Sequence, residues 1–149
     1  LAKKLRGVHT ICMETDCGYQ MSGFRFERVR REFSEINSAS AEQIYGDKFT
    51  KCEDEVTGIG NNVVLDFGEF DFTDEQPSKL VICGRSPLPL NSIHLTAGTE
   101  RILCEFRTEG ESGYVEREFP LDGIAGKQNM SFTFLPGSDF DFRSFRFEK

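Results

Sequence analysis

Seven side chains stand in or beside turns rich in Gly and Pro: Tyr45 and Asp47 in "IYGDKF", Asn61 and Asn62 in "IGNN", Arg85 and Asn91 in "GRSPLPLN", and Tyr114 in "SGYVE". This mixture suits the binding of a polar ligand better than bond-making. A tyrosine ring stacks on an apolar C–H face, while amide, carboxylate and guanidinium groups supply donors and acceptors in fixed directions. Each residue also has a structural reading. Tyr45-Gly46-Asp47 reads equally as a tight turn, and Asn61-Asn62 as a pair that satisfies left-handed turn geometry. Arg85 closes the apolar run "LVICG" and precedes a proline-stiffened loop, where its charge calls for a carboxylate or a ligand.

The same inventory argues against catalysis. A nucleophile needs a positioned base, and glycoside hydrolysis needs a carboxylic acid facing a carboxylate. The chain has two histidines, His9 and His94, and His94 lies in the alternating run "SIHLTA", which makes it an outward polar residue. Glu53-Asp54-Glu55 and the Glu116, Glu118 pair read as an acidic turn and the wet face of a strand. The five cysteines, at 12, 17, 52, 83 and 104, cannot all pair and match no zinc or redox spacing. Cys83 and Cys104 sit in apolar runs as small hydrophobes. Unpaired thiols point to a reducing, cytoplasmic setting. No cofactor is expected.

Charge narrows the partners further. Residues 1–31 carry seven Lys or Arg against three Asp or Glu, and residues 32–149 carry eleven against twenty-two, giving net charges of +4 and −11. A domain this acidic is a poor match for nucleic acid, whose phosphates need clustered cations. The basic run "RVRR" at 28–31 reads as a solvated linker. No apolar run approaches the length of a membrane span, so no membrane partner is expected.

The elements that must position the seven residues are strands. Runs with a period of two cover 33–38, 62–67, 79–84, 92–97, 102–107, 115–120, 129–135 and 140–147, with turn signals between them. "LVIC" is apolar on both faces and belongs inside a sheet. "SASAEQIYG" offers at most a single helical turn. Fifteen of the eighteen aromatic residues are Phe and none is Trp, which favours a packed interior over exposed indoles. These features predict an all-β fold, an antiparallel β-sandwich of jelly-roll type.

One phrase is written twice. "SGFRFER" ends at residue 28 and "RSFRFEK" ends at 149. At a constant offset Ile11, Met13, Tyr19, Met21, Phe24 and Phe26 fall on Phe132, Phe134, Phe140, Phe142, Phe145 and Phe147. From Tyr19 to Phe26 and from Phe140 to Phe147 the apolar spacing of both copies runs two, three, two, and the three demands a bulge to keep both halves on one face. Residues 1–28 therefore read as a strand pair resembling the tail of a preceding repeat, and 29–149 as the sandwich. The other reading makes 1–28 an extra hairpin of a single sandwich.

The stretches "EQIYGDKFT", "IGNNVVLDFGEFDF", "KLVICGRSPLPLNSIHL" and "FLPGSDFDFRSFRF" resemble the C-terminal accessory β-sandwich of some bacterial β-galactosidases of glycoside hydrolase family 2. More distantly, their order is similar to that of carbohydrate-binding module family 6 and its galactose-binding-like relatives. The resemblance implies a non-catalytic, carbohydrate-binding-like jelly roll attached to a glycosidase. Its partners would be a galactoside or a plant or host glycan, and the catalytic domain of the parent enzyme. A catalytic barrel takes about 250 residues, more than this chain holds. Family 6 modules place an aromatic pair in loops at one end of the sandwich, yet the matching strand position here is Val64. They also hold calcium between the first strand and an Asp of the last motif. Here Arg143 takes that Asp position, which implies no calcium and a pairing of Arg143 with Glu35. The alternative function is architectural: packing on the parent enzyme or mediating its oligomerisation.

Overall fold

Period-two patterning yields eleven strands among the described residues. They are β1 (Ile36–Asn37), β2 (Gln43–Tyr45), β3 (Thr50–Lys51), β4 (Val56–Ile59), β5 (Val64–Phe72), β6 (Lys79–Arg85), β7 (Leu90–Ala97), β8 (Glu100–Arg107), β9 (Val115–Pro120), β10 (Gly126–Phe134) and β11 (Phe140–Glu148). The computed structural model describes residues 31–149, with Cys12 and Gly18 of the preceding stretch. The strand pair expected over 1–28 lies outside the described residues. All pairings are antiparallel, in two sheets. One runs β3-β4-β11-β6-β9, with β1 also on β11, and the other runs β2-β5-β10-β7-β8. The fold is the expected antiparallel β-sandwich.

Several strands differ from the sequence reading. The strand expected over 33–38 shrinks to β1, because the chain turns through short 3-10 segments at Arg31–Phe33 and Ser38–Ser40. The second turn places the buried Ser38 hydroxyl between β4 and β11, where it donates to the Phe142 carbonyl and accepts from Val56 N at 2.8 Å. β3 and β4 are too short to show a period. β5 runs on through "GEFDF" because a bulge lets its polar and apolar residues keep their faces.

That bulge repeats the device expected of the doubled phrase. On β11 the register against β6 shifts between Phe142 and Ser144, and Phe140, Phe142, Phe145 and Phe147 all face inward. On β5 the shift falls at Gly68, whose φ of 69° favours glycine, and Leu65, Phe67, Phe70 and Phe72 face inward. The two strands then pack their rings across the sandwich. Phe67 lies 4.8 Å from Phe145 and Phe70 lies 5.8 Å from Phe147, both edge to face. Each buried Phe contributes about 1.5–3 kcal/mol by leaving water. Among the described residues there is no α-helix, and no helix is long and apolar enough to cross a membrane.

Candidate functional site

The topology gathers the seven candidate residues at one end. β2, β4, β6, β8 and β10 finish there, and β3, β5, β7, β9 and β11 start there, as the pairs Tyr45 with Val64, Ile59 with Phe140, Asp141 with Arg85, and Leu90 with Arg107 require. Tyr45, Asp47, Asn61, Asn62, Arg85, Asn91 and Tyr114 therefore lie on, or within a residue or two of, one rim. They divide into two groups and a brace between them.

The first group is Tyr45 with the 46–49 and 60–63 loops. Tyr45 is 52% exposed, one of two large hydrophobic side chains exposed among the described residues. Gly46 lets its loop close on Val63, since an added Cβ would lie 2.8 Å from the Val63 side chain. Gly60 N donates to Lys48 O at 2.9 Å, tying the two loops together. Asp47 and Asn62 are exposed. Asn62 adopts a left-handed φ of 57°, and its N–H reaches Phe134 O at 2.7 Å. Asn61 is spent differently, its Oδ1 accepting from Gly137 N at 2.8 Å and Ser138 N at 3.2 Å. Val64, the position where the family resemblance would place an aromatic, pairs directly with Tyr45. The aromatic at this edge thus comes from the neighbouring strand.

The second group lies on the outer face of the other sheet. Arg85 Nε donates to Asp141 Oδ2 at 2.7 Å, and the other Asp141 oxygen accepts from Gly58 N at 2.7 Å. The Arg85 guanidinium sits 4.7 Å from the Tyr114 ring centroid, and that of Arg143 sits 5.2 Å from it. The Tyr114 hydroxyl donates to Glu55. The carboxylate that Arg85 called for is Asp141, which sequence reasoning missed along with Glu55. Asp141 stands near the start of the central strand β11 and Glu55 just before β4, and only the sheet order reveals their nearness to Arg85 and Tyr114. Cys52, Glu53, Asp54, Glu55, Tyr114 and Arg143 line a cavity of about 330 Å³ here. Two guanidiniums already occupy the Tyr114 ring, so its use as a stacking platform is restricted.

Burial first, and then the hydrogen bond to the Glu55 carboxylate, push the Tyr114 hydroxyl above its ordinary value of 10.0. A folded-state value raised above the unfolded one stabilises fully below the unfolded value and is lost as pH rises through the folded one. Stability should therefore decline above about pH 10 more steeply in the wild type than in Tyr114→Phe. Tyrosinate absorbance followed alongside melting temperature checks this. A late-titrating phenol that persists in Tyr114→Phe would show the assignment to be wrong.

Asn91 braces the two groups. It is 1% exposed, its Nδ2 donating to Ser86 Oγ at 2.8 Å and its Oδ1 accepting from Asp139 N at 3.1 Å. The Arg143–Glu35 pairing does not form. The extra residue of the β11 bulge sends Arg143 to Tyr114, while the next residue, Ser144, turns in and donates to Glu35 Oε1 at 2.7 Å. Asn37 donates to Asp54 at 3.4 Å. With Glu35 and Asn37 so engaged beside a cation, the donor set does not fit calcium, which takes six or more oxygens. Among the described residues no group of three or more His, Cys, Asp or Glu is placed to hold a metal. The Cys104 thiol is pushed up to about 12 by burial, as suits a packed hydrophobe.

No protein-family profile and no curated protein matches the sequence. Solved structures do. A family 6 carbohydrate-binding module from Clostridium cellulolyticum in complex with xylose superposes with a TM-score of 0.67 at 19% identity, over 79% of this chain and 98% of that one. Its fold is that of the family 6 modules. A second family 6 module, from Clostridium stercorarium in complex with cellobiose, gives 0.66 at 16% identity, over 79% and 95%. A family 36 module in complex with calcium and xylotriose gives 0.63 at 13% identity, over 77% and 99%. The described sandwich thus spans nearly the whole of each module and is a galactose-binding-like β-sandwich.

The acidic pairs are placed for structure. Glu116 is held by Arg146 at 2.7 and 2.9 Å, and Glu118 by Lys79 at 3.0 Å. The Arg146 contact holds the Glu116 carboxyl below its usual range, the opposite of what a general acid needs. His94 lies half-buried on the outer face of β7, as its alternation implied.

Proposed function

We propose that this chain is a non-catalytic carbohydrate-binding accessory domain, with its sugar site on the rim around Tyr45. The observation that carries this reading is an exposed aromatic ring at the loop end of a family 6-type sandwich, beside the exposed polar side chains of Asp47 and Asn62. Tyr45 supplies the apolar platform, and Asp47 and Asn62 supply acceptors and donors for ring hydroxyls. Asn61 and Asn91 shape the rim, and Arg85 and Tyr114 bound it on the side of the other sheet. Neighbours of this fold bind xylose, cellobiose and xylotriose, which puts neutral sugars first among ligand classes. The stretches that resemble the family 2 accessory sandwich add a galactoside to that set and a β-galactosidase as the parent enzyme.

With one platform and no Trp, binding should be weak. Calorimetry against xylose, cellobiose, galactose and lactose should give weak saturable binding to at least one. Tyr45→Ala should reduce it about tenfold, the upper end of what a stacked ring contributes beyond its buried area. Binding unchanged in Tyr45→Ala would move the site elsewhere, and no binding to any of them would remove the sugar reading.

One observation favours the architectural alternative. Asn91 spends both ends of its amide inside the domain, and Asn61 Oδ1 and Arg85 Nε are engaged there as well, leaving less chemistry for a ligand than the sequence offers. Co-purification with the catalytic domain, unaffected by sugar and by Tyr45→Ala, would support that role.

A further inference from the structure

Sheet edges expose unpaired backbone N–H and C=O groups, and proteins usually blunt them. Three of the edges here are blunt. β2 and β3 are three and two residues long, and β9 ends in Pro120, while Arg117 of β9 reaches the last residue of β8, donating to Arg107 O at 2.8 Å and leaving the rest of β8 uncovered by it. β8 is different. It is eight residues long, pairs with β7 in continuous register from Glu100 to Arg107, and contains neither Gly nor Pro. It also carries Leu103, which at 51% exposure is the second exposed large hydrophobic side chain among the described residues.

We propose that β8 pairs antiparallel with β8 of a second copy of this chain, about a two-fold axis at Leu103. The outward row of β8 reads Arg101, Leu103, Glu105. An axis at Leu103 sets Leu103 against its copy, Arg101 against Glu105, and Glu105 against Arg101. The row is therefore self-complementary in charge and in apolar content, which an isologous interface requires. Arg101 has no ion-pair partner among the described residues, whereas Glu105 holds Arg107 at 2.9 Å and keeps oxygen capacity for a second cation.

The backbone agrees with this register. Gly98 and Thr99 form a two-residue turn closed by Ala97 and Glu100, and Gly98 has the positive φ, 59°, that such a turn needs. A pair that closes a two-residue hairpin exchanges both of its hydrogen bonds. Glu100, Ile102, Cys104 and Phe106 then turn their backbone groups towards β7, and Arg101, Leu103 and Glu105 turn theirs to the edge that no other strand among the described residues pairs with. The residues whose side chains match across the axis are the ones whose N–H and C=O groups are available there. The two five-stranded sheets would become one ten-stranded sheet, with the rims around Tyr45 at opposite ends.

The test is light scattering and sedimentation of the full chain. The wild type should dimerise reversibly. Arg101→Glu and Glu105→Arg should each set like charges against each other twice across the axis and weaken the dimer by about tenfold or more. The double exchange Arg101→Glu/Glu105→Arg restores both pairs and should restore the dimer. Melting temperatures close to wild type would show that the single variants remain folded. A wild type that stays monomeric, or single variants that dimerise as well as wild type, would overturn the proposal. So would a double exchange that fails to recover association.

Discussion

Phe145→Ala is expected to destabilise the domain by about 3–5 kcal/mol, among the largest effects of any single side-chain truncation here. Phe145 is 1% exposed and sits where the two bulged strands meet. Its ring centroid lies 4.8 Å from Phe67, 4.8 Å from Phe132 and 5.7 Å from Phe147, with Phe142 and Phe70 at 6.0 and 6.3 Å. Truncation removes the transfer contribution, several edge-to-face contacts worth about 0.5–1.5 kcal/mol each, and leaves a cavity. That cavity cannot close easily, because its walls are aromatic rings fixed on both sheets. Phe119→Ala is the control. It lies on the edge strand β9 and is half-buried, so collapse and water entry are easy and its cost should be markedly smaller. Equilibrium denaturation of both variants decides the matter. Equal losses would mean that the ring cluster is no more important than the edge.

The same residue shows how much of the fold was legible. The spacing of Phe140, Phe142, Phe145 and Phe147 announced both the inward face and the need for a bulge, and the bulge falls where the spacing breaks. β5 carries the same break around Gly68, but the strand expected over 62–67 stops short of it, because the glycine and the change of phase interrupt the period when "GEFDF" is viewed without a partner strand. Its phase becomes clear only against Met130 on β10. The shortest elements were legible only in part, since two to four residues hold no period: β1 is the remnant of the longer run expected over 33–38, and β3 and β4, which depend on pairing with each other, on β11 and on the Ser38 hydroxyl, were not legible.

The rim divides in the same way. Turn composition located the loops, and antiparallel order brought all seven residues to one end. What each side chain does there was not written locally. Asn61 and Asn91 have the same amide as Asn62, yet Asn61 holds the 135–139 turn, Asn91 is buried, and Asn62 reaches solvent. Arg143 was legible as a cation in an unusual place but not as a partner of Tyr114. The bulge that turns it away from Glu35 is a property of two strands together.

Gly84→Ala should cost about 1–3 kcal/mol, at the upper end of that range, and should loosen the rim as well. Gly84 lies on β6 beside Arg85 and opposite Phe142 on β11. A Cβ there would lie 2.1 Å from Phe140 Cζ and 3.0 Å from the Asp141 carbonyl oxygen. Contacts this short force a shift, and the ring has nowhere to go. Phe140 is fully buried against Phe106 at 4.8 Å and Phe134 at 5.5 Å. The strain must pass into the β6–β11 pairing, which is where Arg85 meets Asp141. Sequence alone would read Gly84 as a weak point of a strand and forecast a gain from alanine. The packing reverses that sign. Phe140→Leu removes the atoms that clash, so the double variant Gly84→Ala/Phe140→Leu should be more stable than the sum of its singles implies, with a coupling of about 1 kcal/mol or more. Strict additivity in that cycle, or a stabilising Gly84→Ala, would show that the close approach of Phe140 is not what keeps this position glycine.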